Sequence, residues 1–290
     1  MAVVTPARGG PGPRGEVRRP PARRRWRDLG RGRAATVLLP VLGCLLLVVV
    51  WWVVVAAFAI QSYVLPTPPS VLSAFWQAHG DLLAQSAYTL LEVLEGYAMA
   101  VVVAALIALA VRASPIVGKA VYPLVLAFNS VPKIAVAPLL VVWLGYGTLP
   151  KAMMVFLICF FPIVISAVAG LASTPAELVD LGMSLEARPW KAFVKIRLPN
   201  ALPEVFVGLK VAMTLAVIGA VVAEYQGSTT AGLGFVLTSS SGQGNTALAF
   251  AAVVMLSLMS ILLYYSLVLL ERLLLPWARD RNRNLAGSPA

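Results

Sequence analysis

The sequence predicts an all-α integral membrane protein with six transmembrane helices. Of its 290 residues, 60% are hydrophobic and only 12% are charged, whereas soluble domains carry about 25% charged residues. The apolar residues gather into six long stretches, each of about the length that an α-helix needs to cross a bilayer. The predicted spans are 34–60, 88–111, 120–144, 151–171, 203–225 and 247–271.

The segment before the first span, residues 1–33, is rich in Arg, Pro and Gly. It holds ten Arg and two acidic residues and so contributes +8 of the net charge of +11. With so little apolar surface it is predicted to be a disordered basic cytoplasmic tail that touches anionic membrane lipid, with no nucleic-acid partner. The uncharged run 34–60 is 27 residues long, whereas the apolar core of a signal peptide has about 7–15. We therefore expect a retained helix.

The distribution of positive charge orients the six spans. Residues 61–87 and 226–246 contain no Lys or Arg, whereas the 112–119 turn, the 172–202 loop and the C-terminal tail at 278–290 are basic. Because basic short loops stay in the cytoplasm, we expect a multi-pass protein of the cell membrane with both termini inside. Only the turn near Lys151 departs from this rule.

No residues in the sequence predict a catalytic, cofactor or metal site. Cys44 and Cys159 both lie inside apolar spans and are expected to pack as small hydrophobic residues. His79 is expected in a loop, without Cys or His neighbours. The stretch "VGKA" at 117–120 lacks the Gly and the Ser or Thr of a phosphate-binding loop. We expect no enzyme activity in this chain.

Small residues recur every four positions in two of the spans, which predicts close helix packing. The second span carries Gly96, Ala100, Ala104 and Ala108, and the fifth carries Gly208, Ala212, Ala216 and Ala220. Small side chains let helix backbones approach closely in lipid, where no hydrophobic force drives helices together.

The third span is predicted to break, which makes it a candidate for the translocation pathway. Pro132 and Pro138 interrupt it, and a break at membrane depth is tolerated where it faces protein or a water-filled cavity. Lys133 lies near its middle, where insertion costs about 2.5–3.5 kcal/mol. It is expected to pair with Glu92, Glu95 or Glu224, to be solvated, or to contact an anionic solute. The predicted pathway residues are Glu92, Asn129, Ser130, Pro132, Lys133, Met213, Thr214 and Glu224.

The basic loop 172–202 is predicted to form two short cytoplasmic helices. The first begins at the capping pattern Thr174-Pro175-Ala176-Glu177, and the second runs from Pro189 and is stopped by Pro199. The second helix carries Trp190 and Phe193 beside basic residues. The pattern fits equally an amphipathic hairpin on lipid headgroups and a helix that docks into a groove of a soluble partner.

The same loop resembles the cytoplasmic signature of ATP-binding-cassette importer permeases, Glu-Ala-Ala-x3-Gly-x9-Ile-x-Leu-Pro. Residues 196–199 match its end, whereas Asp180-Leu181-Gly182 replace Glu-Ala-Ala and Glu186 replaces the Gly of the turn. The stretches "TLLEVLEGYAMA" and "VPKIAVAPLLVVWLGYGTLPK" are also similar to this group. Over about residues 40–277 the chain resembles the nitrate/sulfonate/taurine permease family, and within it the permeases for riboflavin or for a thiamine pyrimidine precursor.

The resemblance implies a type I importer permease, with residues 34–277 as its transmembrane domain. Such permeases pair as dimers, bind two cytoplasmic ATPase subunits that hold ATP and Mg, and receive solute from an extracytoplasmic binding protein. Alternating access would then move a vitamin, a vitamin precursor or a small organic anion inward. The implied ATPase-coupling residues are Glu177, Asp180, Gly182, Glu186, Ala187, Arg188, Trp190, Lys191, Phe193, Ile196, Leu198 and Pro199. Trp190 and Phe193 are expected to anchor on the ATPase, so that Phe193→Asp would uncouple transport.

A self-sufficient secondary carrier or channel is the alternative interpretation. It predicts an internal repeat between the two halves of the chain, and no such repeat is visible in the sequence. It also gives the basic cytoplasmic loop no role.

Overall fold

The computed structural model describes residues 33–175, 177–178, 189–226 and 231–277, and the regular structure in these residues is helical. The chain divides into two compact units, Met1–Val54 and Val55–Ala290. The helices are α1 (Arg33–Ala57), α2 (Pro68–Gln77), α3 (His79–Ala113), α4 (Pro115–Asn129), a 3₁₀ turn (Lys133–Val136), α5 (Ala137–Leu144), α6 (Thr148–Ala172), α7 (Pro189–Ala192), a π-helical segment (Phe193–Arg197), α8 (Leu198–Gln226), α9 (Leu233–Gly242) and α10 (Thr246–Leu274).

The structure confirms the predicted all-α membrane architecture. Five described helices are long and apolar enough to cross a bilayer, and the bent pair formed by α4 with α5 brings the count to six. Each coincides with one predicted span, although α3 begins nine residues before the predicted start at residue 88. His79 is the first residue of that helix, so the expectation that it lies in a loop was wrong.

Two short helices, α2 and α9, occupy segments that the sequence analysis took for loops. Thr67 caps α2, and its hydroxyl accepts a hydrogen bond from Ser70 N–H at 3.4 Å. Pro68 and Pro69 follow it in the first turn, where a missing N–H costs nothing. The sequence Thr-Pro-Pro-Ser therefore carried a helix-start signal, but the helix is too short and polar to register as a span.

The third span breaks between Asn129 and Lys133, as predicted, and its two halves are bent by 76°. Pro132 has extended backbone dihedrals and leads into the 3₁₀ turn. Pro138, by contrast, lies in the first turn of α5, where proline is tolerated. The break therefore lies at Pro132 alone.

Helix α6 is the central element of the larger unit, and the two small-residue faces pack against it. A Cβ atom built on Gly96 of α3 would collide with the Ala152 carbonyl oxygen and with Val155 of α6. A Cβ atom on Gly208 of α8 would likewise collide with Ser166 of α6. The predicted alanines on both faces are buried. The structure thus confirms both predicted packing faces.

Replacing Gly96 by Ala tests this close approach. Because the new methyl group meets the Ala152 carbonyl oxygen and the Cβ of Val155, neither of which can move without a shift of α6, we expect Gly96→Ala to destabilise the fold by about 1–3 kcal/mol. The matched control is Gly80→Ala near the start of the same helix, where a Cβ meets nothing within 4 Å. Thermal unfolding in detergent should show a lower Tm for the first variant only. Equal Tm values would contradict the packing.

Candidate transport site

A buried polar cluster joins four helices at one end of the larger unit. It consists of Gln85, Thr89 and Glu92 of α3, Lys151 of α6, Glu224 of α8, and the backbone of residues 231–234 at the start of α9. Thr89, Glu92, Lys151 and Glu224 are each at most 3% exposed. Buried polar groups of this kind must find partners within the protein.

The cation of the polar cluster is Lys151. Its ammonium donates a hydrogen bond to Glu92 Oε1 at 2.5 Å, and both side chains are 3% exposed. It also lies 3.4 Å from the Ala231 carbonyl oxygen. Lys151 was the single charge that departed from the loop-charge rule in the sequence. The structure gives the reason, because the charge is buried in the polar cluster and does not face solvent.

The Glu224 carboxyl group caps the N-terminus of α9. Its Oε2 accepts the Gly234 N–H at 2.5 Å and its Oε1 accepts the Thr89 hydroxyl at 2.7 Å. The Thr89 oxygen in turn accepts the Leu233 N–H at 2.9 Å. These contacts satisfy N–H groups that a helix start leaves unpaired, and they place a carboxylate at the positive end of the helix dipole.

The turn before α9 requires glycine at residue 232. Gly232 has φ of +112°, and a Cβ there would collide with the Glu224 carboxylate. Its N–H donates to Gln85 Oε1 at 2.7 Å. The absence of a side chain therefore lets the backbone lie directly on the polar cluster.

Lys133 lies at the break in the third span and binds the end of α4. Its ammonium donates to the Asn129 carbonyl oxygen at 2.9 Å and to Asn129 Oδ1 at 3.0 Å. It also lies 4.8 Å from the centre of the Phe161 ring, a cation–π contact. A cation at a helix C-terminus satisfies carbonyl groups that the helix cannot.

This arrangement corrects the expectation that Lys133 pairs with a glutamate. Glu92 contacts Lys151, and Glu224 contacts Thr89 and the start of α9. The break brings Lys133 back over the last turn of α4, so that Asn129, four residues earlier, is within its reach. Sequence reasoning overlooked Lys151 because it was counted as a residue of a short outer turn.

The predicted pathway residues do not share one surface in the single chain. Ser130, Pro132 and Thr214 are exposed, and Asn129 and Lys133 are half-buried. Met213 is buried, as are the two glutamates of the polar cluster. The predicted pathway residues that reach the surface therefore lie at the break in the third span and on one face of α8.

The second predicted coupling helix begins at Pro189, but Pro199 does not end it. Residues 190–226 form one continuous helix of 37 residues, so this part of the prediction was wrong. The π-helical segment explains why. The Leu198 N–H bonds to the Phe193 carbonyl, five residues back, and this wider turn gives the Pro199 ring space that a regular α-helix lacks.

A second proline in this helix is accommodated by a contact from Trp277, three residues after the end of α10. Pro203 has no N–H to give to the Pro199 carbonyl, its usual partner four residues earlier. The Trp277 indole N–H donates to that carbonyl oxygen at 3.4 Å. Lys210 and Glu271 form an ion pair at 2.9 Å between the same two helices. The C-terminal end of α10 and the residues just after it are thus attached to α8 at two points.

The aromatic residues of the coupling helix have different surroundings. Trp190 and Phe193 stack with ring centres 5.8 Å apart, and Trp190 is 71% exposed. Phe193 packs against the chain's own core of Ala108, Ala167, Leu171 and Ala201. Phe193 therefore holds the predicted coupling helix to the bundle, while Trp190 is exposed.

Other coupling residues divide in the same way. Lys191 is exposed, as is Glu177, whereas Ile196, Leu198 and Pro199 are half-buried. Five of the predicted residues lie outside the described part of the chain: Asp180, Gly182, Glu186, Ala187 and Arg188. The turn at Glu186 therefore stays a prediction.

The fold and these sites define a polytopic helical membrane protein with a broken span and a long helix that carries an exposed aromatic residue at its start. The family model for the inner membrane component of binding-protein-dependent transport systems matches residues 97–280. The chain belongs to this family of membrane permeases.

Several relatives match over most of their length. A probable ABC transporter permease of Haemophilus influenzae is 34% identical, covering 80% of this chain and 94% of the relative. The formylaminopyrimidine transport permease ThiX of Halalkalibacterium halodurans is 33% identical, covering 86% and 99%. The riboflavin transport system permease RibX of Chloroflexus aurantiacus is 34% identical, covering 87% and 94%.

The Lys151–Glu92 pair can be tested by a double-mutant cycle. Lys151→Met leaves two buried carboxyl groups, those of Glu92 and Glu224, without the one cation of the polar cluster, and we expect a loss of about 3–5 kcal/mol in the free energy of unfolding. Adding Glu92→Gln should restore part of that loss, because it removes the carboxyl group that bound the missing ammonium. Lys210→Met, in the more exposed pair with Glu271, serves as the control and should cost less. Strict additivity of the Lys151 and Glu92 changes would refute the pair.

Proposed function

We propose that the chain is the membrane-spanning permease subunit of an ATP-driven importer, which receives a small solute from an extracytoplasmic binding protein. ATP and Mg would be held by two separate cytoplasmic ATPase subunits, and the chain itself would carry no cofactor. Family membership supports the general assignment. The observation that carries the finer one is the continuity of the coupling helix with α8.

That continuity supplies a mechanical route for coupling. Thirty-seven helical residues span about 55 Å, against about 30 Å of bilayer hydrocarbon. One end of the helix can therefore stand in the cytoplasm while the other reaches Glu224 in the polar cluster. A partner that moves Trp190 would move α8 as a unit and carry the inner end of α10 with it. In this proposal both chain termini lie in the cytoplasm of a cell-membrane protein.

We further propose that two copies of the chain form the pathway between them. Asn129, Ser130 and Lys133 place polar atoms on an open face of the single chain. At bilayer depth such groups are tolerated only against protein or water. A second copy facing the break would enclose a water-filled path, which alternating access would open to one side at a time.

For the solute we propose a vitamin or a vitamin precursor. The relatives named for formylaminopyrimidine and riboflavin transport are 33% and 34% identical to this chain. Relatives named for aliphatic sulfonate and taurine transport are 27% and 29% identical, and a small organic anion is the second candidate on that basis.

Reconstitution distinguishes the importer from a self-sufficient carrier. The chain should co-purify with an ATPase when the two are co-expressed. Proteoliposomes holding both should take up solute only with ATP and a loaded binding protein. ATP-independent uptake by the chain alone would overturn the proposal. A competition series with formylaminopyrimidine, riboflavin and taurine on the binding protein would identify the solute class.

The first functional prediction concerns Trp190. Because it is the exposed aromatic residue of the coupling helix, Trp190→Asp should weaken ATPase binding by at least about 2 kcal/mol, the threshold for an interface hot spot. Lys191→Glu should cost only about 0–1 kcal/mol, as exposed charges do. The measurement is the affinity of the purified ATPase for each variant.

The sequence alone predicted that Phe193→Asp would uncouple transport. Because Phe193 packs against the core of the chain, we now expect this variant to lower the yield of folded protein instead.

The second functional prediction concerns Lys133. We expect Lys133→Met to lower uptake while leaving membrane insertion and ATPase assembly intact, because the variant removes the charge and frees the Asn129 carbonyl at the break. Lys133→Arg, which keeps the charge and can still reach that carbonyl, should retain much of the activity. Wild-type uptake by the Met variant would contradict a role for Lys133 in the pathway.

A further inference from the structure

The charges in the polar cluster do not balance. It contains two carboxyl groups, Glu92 and Glu224, and one ammonium, Lys151, all at most 3% exposed. Of the neighbouring elements, α2, α5 and α9 contain no charged residue, and residues 227–230, which lead towards α9, are uncharged. A fully ionised cluster would therefore hold one uncompensated negative charge away from water, which is costly.

The hydrogen-bond donors do not balance either. Glu224 has a donor for each oxygen, from Thr89 and from Gly234. Glu92 Oε1 has Lys151. Glu92 Oε2 is buried and has no hydrogen-bond donor among the described residues. The Glu224 carboxyl group is its neighbour in the cluster, because Glu224 binds Thr89, which lies one turn before Glu92 on the same helix. Thr89 cannot fill the gap, because its single hydroxyl hydrogen is already donated to Glu224.

We infer that the polar cluster is a proton-binding site, in which one proton is held on Glu92 Oε2 and donated to the Glu224 carboxyl group. This single proton corrects both imbalances. It turns Glu92 Oε2 from an acceptor without a donor into an O–H donor to Glu224, and it leaves one carboxylate beside one ammonium. The site then holds the N-terminus of α9 against α3, α6 and α8 without a net charge. The inference concerns a site separate from solute transport and does not depend on the proposed solute or partners.

Infrared spectroscopy of the full chain in lipid tests the site. With glutamate labelled by ¹³C, the wild type at neutral pH should show a carboxylic-acid C=O band assigned to Glu. Glu92→Gln should lose the band. The matched control, Glu95→Gln, removes an exposed carboxylate one turn along the same helix and should keep it. A wild type without the band, or a band that is lost only in Glu95→Gln or only in Glu224→Gln, would overturn the inference.

A titration of stability gives a second measurement that does not rely on a band assignment. If the folded chain holds a proton that the unfolded chain releases, stability must fall as the pH rises through release of that proton. The wild-type Tm should therefore decrease as the pH rises from about 4.3, the ordinary pKa of glutamate, to the pH at which the acid band converts to carboxylate. Glu92→Gln places an amide donor where the acid O–H stood and should show a smaller decrease. Equal pH profiles for the two proteins would overturn the site. Should Glu92→Gln fail to fold, a wild-type Tm that does not fall anywhere above about pH 4.3 would overturn it.

Discussion

Hydrocarbon offers no hydrogen bonds, so each interruption of a helix at membrane depth needs a partner from elsewhere in the protein. Three gaps in the backbone hydrogen bonding of this chain are filled by polar side chains. Lys133 binds the carbonyl at the end of α4. Trp277 binds the carbonyl that Pro203 leaves free. Glu224 binds the first N–H groups of α9 together with Thr89. Most of the polar chemistry inside the bundle serves to complete its backbone.

This constraint also separates structural polar residues from candidates for transport. Glu92, Lys151 and Glu224 have one another and the α9 backbone as partners, and they are closed off from any surface of the chain. The residues at the Pro132 break are different, because their polar atoms reach an open face. An ionisable residue in a span is therefore not evidence for a pathway by itself. Its burial and its partners decide which role it has.

Much of the fold could be predicted from the sequence, because it rests on periodic signals. The spans follow from apolar runs of the required length, and the packing of α3 and α8 on α6 follows from glycine and alanine at every fourth position. The break at Pro132 could be predicted as well, because a proline inside an apolar span is a local signal. The polar cluster could not be predicted, because Glu92, Lys151 and Glu224 are far apart in the sequence and only the folded chain brings them together. The prediction that Pro199 ends the helix was wrong, because proline ends a regular α-helix and no local sequence pattern indicated the π-helical turn that accommodates it.

The π-helical segment has a further consequence for the geometry of the long helix. A π turn contains one residue more than an α turn, and one residue corresponds to a rotation of about 100° around the helix axis. The side chains before Phe193 are therefore out of phase with the small residues of α8 that pack against α6. Deleting a single residue within 193–197 would turn the Trp190 face by about that angle while α8 kept its place against α6. The orientation of the Trp190 end of the helix is thus encoded independently of the packing of α8 against α6.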